Sequence, residues 1–150
     1  MSNPTLNIDG GELRLTLRNA ATDKSVDVLL AVYDVFFIGR ILECADKCDE
    51  ANTALSAKSP SADAGNNAFI DFYHKAQEAD REIRGVIDEL FDAPVCDTLF
   101  PNYSMFAIGN GAPVWANLLT AIVEQMDSGL DAEKKKAQER IKKYSAKYKK

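Results

Sequence analysis

The amino-acid sequence predicts a mainly α chain of the α+β class: a small N-terminal β-hairpin, a long antiparallel helical hairpin and a C-terminal helix. Three observations predict it. Apolar residues alternate in Leu6–Leu17, and from Val26 onward they recur every three or four positions. That second pattern is interrupted around Pro60 and at Pro94, and resumes from Pro113. With 150 residues, 46% hydrophobic and 27% charged, the chain is expected to form one compact domain over residues 1–130.

Leu6 and Ile8 precede Gly10-Gly11, and Leu13, Leu15 and Leu17 follow it, so period-two spacing around a glycine pair predicts a hairpin over Leu6–Leu17. Thr22-Asp23-Lys24-Ser25 supplies capping residues for a helix from Val26 to about Ala51, with Gly39 as a weak point. Its stripe is Val26, Leu29, Leu30, Tyr33, Phe37, Ile41, Cys44 and Cys48. Val28, Val32, Val35, Phe36 and Ile38 make a second apolar face, and a helix apolar on two sides is buried on both. Val28, Val32, Val35 and Phe36, or the edge of the hairpin, are therefore the expected interface of a homo-oligomer.

Residues 52–67, rich in Ser, Ala, Asn and Asp, predict a mobile loop. A second helix from Ala68 carries Phe69, Phe72, Tyr73, Ile83, Val86, Ile87, Leu90 and Phe91 to the break at Asp92-Ala93-Pro94. Short turns follow, then a helix opened by Pro113 that carries Trp115, Leu118, Leu119, Ile122, Val123 and Met126 toward Gly129.

Charge divides the chain. Residues 1–130 hold nine basic against twenty acidic residues, whereas residues 131–150 hold nine against three, so an acidic body of −11 carries a basic tail of +6. The tail is expected to be dispensable for folding and to make a salt-sensitive contact, with Lys134, Lys135, Arg140, Lys142 and Lys143 as candidates. Only Ile141, Tyr144 and Tyr148 could dock it. Its two tyrosines and the acidic body do not favour nucleic acid.

No motif carries reaction chemistry. Cys44 and Cys48 could supply half of a zinc site, but they continue an apolar stripe and read as packing. The third cysteine, Cys96, leaves an odd number, too few for a disulfide framework and consistent with a reducing compartment. His74 has no nucleophile motif near it, the acidic run from Asp80 to Asp92 reads as a solvated face, and Ile108–Pro113 reads as a tight turn rather than a phosphate loop. No catalytic residue, cofactor or metal is expected. The longest apolar stretch, Val28 to Leu42, contains Asp34 and Arg40 and is shorter than the roughly 20 residues of a membrane span. No basic and apolar leader opens the chain, so a cytoplasmic protein is expected.

The hairpin LNIDGGELRLTL running into a long helix, the segment AFIDFYHKAQEADREIRGVIDELFDAPVCDTLF, and IGNGAPVWANLLTAIVEQM followed by a lysine-rich tail together resemble small phage and prophage tail-assembly chaperones. The likeness covers most of the chain in layout and spacing, is most family-like at Ile87–Asp92, and carries over no site residue. It implies a non-enzymatic, self-associating protein in the host bacterial cytoplasm that binds a helical client, the tape-measure or tail-tube protein. A structural head-tail or tail component of the virion, or a small regulatory nucleic-acid-binding protein, are the alternatives.

Overall fold

The structure, a computed structural model, describes residues 2–126. It is α+β: a two-stranded hairpin packs with two long helices, a one-turn helix, a minimal second hairpin and a final helix. The elements are β1 (Leu13–Arg18), β2 (Ser25–Leu30), α1 (Val35–Ala57), α2 (Asn66–Phe91), α3 (Val95–Leu99), β3 (Ile108–Gly109), β4 (Ala112–Pro113) and α4 (114–126).

The hairpin forms one strand later than the glycine pair suggests. Leu13 faces Leu30, Leu15 faces Val28 and Leu17 faces Val26, in antiparallel register, while Arg14, Thr16 and Asp27 point outward. Thr16 Oγ1 donates to Asp27 Oδ1 at 2.7 Å across that outer face. Residues 2–12 carry no regular structure, and Leu6 and Ile8 are exposed. The physical reason is apolar content. Pairing with 25–30 sets Val26, Val28 and Leu30 opposite the leucines of β1, whereas 6–8 offers only two such residues and a glycine pair that loses the most backbone entropy on ordering.

Consequently Val26–Leu30, expected as the first helical turns, is extended. The helix starts after Asp34, whose side chain accepts from the Phe36 amide at 3.2 Å. It also ends later, at Ala57, because residues 52–57 continue the helix and bury Leu55. The expected loop over 52–67 shrinks to residues 58–65, closed by Gly65 at φ 88°.

The helices α1 and α2 run antiparallel: Arg40, Glu43 and Lys47 lie across from Val86 and Glu89, and Asn52 and Ser56 from Phe72 and Ala76. Phe37, Ile41, Cys44 and Cys48 meet a core that includes Ile83, Ile87 and Phe91, with Val28, Leu30 and Val32 from the hairpin side and Leu118 and Ile122 from α4. Asp92, at φ 51°, terminates α2 in the left-handed conformation, and the Ala93 amide reaches back to the Asp88 carbonyl at 3.3 Å. Pro113 belongs to β4 instead of opening the last helix, because residues 108–113 close as a hairpin over Asn110 and Gly111, both at positive φ. Among the described residues no helix is long and apolar enough to cross a membrane.

Candidate docking groove

The four residues expected at an interface do not share a face. Val28 and Val32 are buried at 4% and 0%, because Val28 is on the inward side of β2 and Val32 is in the turn that leads into α1. They belong to this chain's own core, which corrects the idea of a second helical face beginning at Val28. Val35 and Phe36, in the first turn of α1, are 71% and 75% exposed. Lys134, Lys135, Arg140, Lys142 and Lys143 lie outside the described residues.

The exposed apolar surface of α1 runs onward from Val35. Ile38, Leu42 and Ala45 follow it at spacings of three and four, which places them on one side of the helix, about a quarter turn or more from the buried row Phe37, Ile41, Cys44 and Cys48. Leu42 is 58% exposed, Ile38 and Ala45 are half-buried, and the row ends at the charge of Asp49. On α4, Ala116, Thr120 and Val123 repeat the same spacing beside it. Between the two helices lies a groove of about 240 Å³ with walls from Ile41, Leu42, Ala45, Leu119 and Val123, and with Glu124 at one end.

The groove is held open by packing beneath it. Trp115 is buried at its floor, and its indole N–H donates to Asn52 Oδ1 at 2.9 Å, tying the N-terminal end of α4 to the C-terminal half of α1. With Trp115 at Asn52 and the groove between Ile41–Ala45 and residues up to Glu124, α4 runs antiparallel to α1 and Val123 lies toward the N-terminal half of α1. Asn117 donates to the Gly109 carbonyl at 2.7 Å and fixes the small hairpin that starts α4. The chain therefore presents two helices, tied together beneath the groove, with mainly apolar rows facing outward, the geometry into which a third helix packs. Leu42 is on neither of the faces that the sequence pattern predicts; the row Val35–Ile38–Leu42–Ala45 that carries it is blurred when the helix is counted from Val26, nine residues before its true start.

The chain matches no family model, no curated protein and no solved structure at a significant level.

A second polar constellation is structural. Arg84 on α2, its side chain 12% exposed, donates to Asp80 Oδ2 at 2.8 Å, Asp97 Oδ1 at 3.0 Å, the Phe100 carbonyl at 2.7 Å and the Tyr103 carbonyl at 2.6 Å. Burial opposes its charge, but the hydrogen bond and attraction of Asp80, with the hydrogen bond to Asp97, outweigh it and hold the guanidinium above its ordinary pKa. Asp80 Oδ1 accepts in turn from the Met105 amide at 2.7 Å. With two hydrogen bonds on the carbonyls of Phe100 and Tyr103 and two on Asp80 and Asp97, Arg84 staples the loop over residues 100–105 to α2, and the neighbouring cleft gains no free cation from it.

The cysteines are core residues. Cys44, Cys48 and Cys96 are buried with free thiols. Hydrogen bonding to Cys44 and then burial push the Cys48 thiol far above its ordinary value, and burial followed by the nearby Asp88 carboxylate pushes Cys96 up as well. Among the described residues no group of three His, Cys, Asp or Glu converges in a metal-holding arrangement. His74 is exposed, with Nδ1 3.2 Å from Gln77 Oε1.

Proposed function

We propose that this chain is a non-enzymatic helix-binding protein, a phage tail-assembly chaperone that receives a helical segment of the tape-measure protein in the groove between α1 and α4. One observation supports the reading most: a mainly apolar groove between two helices that the described chain leaves unfilled. Covering one large apolar side chain is worth about 1.5–3 kcal/mol, so a client that covers Leu42 and Val123 gains affinity from contacts already positioned. A helical client suits the site because three-and-four spacing on both walls accepts a third helix by ridges into grooves.

Self-association is proposed through Val35 and Phe36 alone, since Val28 and Val32 are inside the chain. The experiment for the client reading is a titration of helical fragments of the tape-measure protein encoded beside this gene against the wild type and Leu42→Arg. Saturable binding that weakens at least about tenfold in the variant, equivalent to 1.4 kcal/mol, supports it. Equal binding by both proteins, or a gene neighbourhood without tube and tape-measure genes, overturns it.

A further inference from the structure

We infer that the groove between α1 and α4 has an occupant in the free protein, the chain's own basic C-terminal segment, which a client must displace. The inference uses the groove of the proposed function but does not depend on which client enters it. Three features point to this segment.

The first is position. Residues 127–150, outside the described part of the structure, continue from Met126, and Val123 and Glu124 at that end of α4 already line the groove. From Trp115 to Glu124 the groove is about 14 Å long at 1.5 Å per helical residue. A segment of this length that reverses at Gly129 is long enough to return along the whole groove.

The second is pattern. Leu130, Ala137, Ile141, Tyr144 and Tyr148 fall at steps of seven, four, three and four, with Lys134 filling the gap. On a helix they form one narrow row, which can face Leu42 and Ala45 on one wall of the groove and Leu119 and Val123 on the other. Such a row needs a partner, because a short helix with so little apolar surface is marginal by itself.

The third is charge. The four acids of residues 127–150, Asp127, Asp131, Glu133 and Glu139, all precede Arg140, and residues 140–150 carry six cations and no acid. A segment returning along α4 runs parallel to α1, which brings those cations toward the exposed acids Asp46, Asp49 and Glu50 that follow Ala45. The groove walls are apolar where the segment is mixed, and its far rim is acidic where the segment is basic.

The test uses the full-length chain, the full-length double variant Ile141→Asp/Tyr144→Asp, and a synthetic peptide of residues 130–150. Tethering places a cis segment near millimolar effective concentration, so the peptide should bind the wild type at least about tenfold more weakly than it binds the double variant. Hydrogen exchange over residues 38–45 and 116–123 should speed up in the double variant. Adding Leu42→Arg to the double variant should abolish peptide binding. Equal peptide affinity for wild type and double variant, unchanged exchange, or no peptide binding to either would overturn the inference. So would a wild-type mass near twice 16.5 kDa that falls to 16.5 kDa in the double variant, which would seat the segment on a second copy. Failure of tape-measure fragments to bind either protein would count against the client alone, because the peptide competition is read without them.

Discussion

Asn19 is the one buried polar residue among those described, and its side chain is fully used. Nδ2 donates to the Leu99 carbonyl at 2.8 Å and to Tyr103 Oη at 2.9 Å, and Oδ1 accepts from the Ala21 amide at 3.0 Å. Asn19→Ala strands the Leu99 carbonyl and should lower stability by about 1–3 kcal/mol in urea unfolding. Arg84→Lys keeps a charge but not the planar fork that reaches four acceptors, so it should destabilise by a similar amount and raise hydrogen exchange over residues 100–105. For Cys96 the raised folded pKa fixes the sign. The unfolded chain loses the thiol proton near pH 9 and the folded chain does not, so stability is complete below that pH and declines above it. In Cys96→Ala the decline between pH 8.5 and 10 should be shallower than in the wild type, whatever the offset caused by the smaller side chain. The cysteines were legible as packing because Cys44 and Cys48 continue a three-and-four row. Asn19 and Arg84 were not, because their acceptors include backbone carbonyls eighty and sixteen residues away, which no local pattern announces.

At the scale of elements, α2 and its ending at Asp92 are plain from spacing and Pro94, while the start of α1 is not. SVDVLL alternates strictly in burial, yet joined to the apolar residues that follow it also fits three-and-four spacing, and only tertiary pairing with β1 decides between the two. Asp34 marks the true boundary. Asp34→Ala removes the cap on the Phe36 amide and should cost about 1 kcal/mol, with faster exchange confined to the first turn of α1. Had Val26–Leu30 been helical, this substitution would lie mid-helix and speed no such local opening. The row Val35–Ile38–Leu42–Ala45 stands apart as a face only in a helix that starts at Val35, because counting from Val26 merges it with apolar residues that belong to β2 and the turn after it.

For the molecule as a whole, the acidic body and basic tail were legible from charge counting, and the helical hairpin from breaker positions. The docking groove was not, because it is made by α1 and α4, which are adjacent in space and separated by all of α2 in sequence. Leu42→Arg replaces a residue already 58% exposed and should change unfolding free energy by no more than about 0.5 kcal/mol. Loss of binding in that variant would then report on the surface and not on the fold. Phe36→Lys should likewise leave stability near wild type, and light scattering should find it monomeric under conditions where the wild type associates through Val35 and Phe36.

The link from Asn19 to Leu99 and Tyr103 also sets an order of events during synthesis. The β1–β2 pair is complete once residue 30 has left the ribosome, but the carbonyl and hydroxyl that anchor its turn are made some eighty residues after Asn19. At 5–20 residues per second that interval is roughly 4–16 s, during which the turn at Asn19 lacks its anchors and α3 is not yet there to pack on β2. A nascent chain arrested before residue 99 should therefore expose the hairpin to proteases and holdase chaperones, and one arrested after α4 has emerged should not. Slow codons placed between the hairpin and α3 would lengthen that exposure without changing a single amino acid.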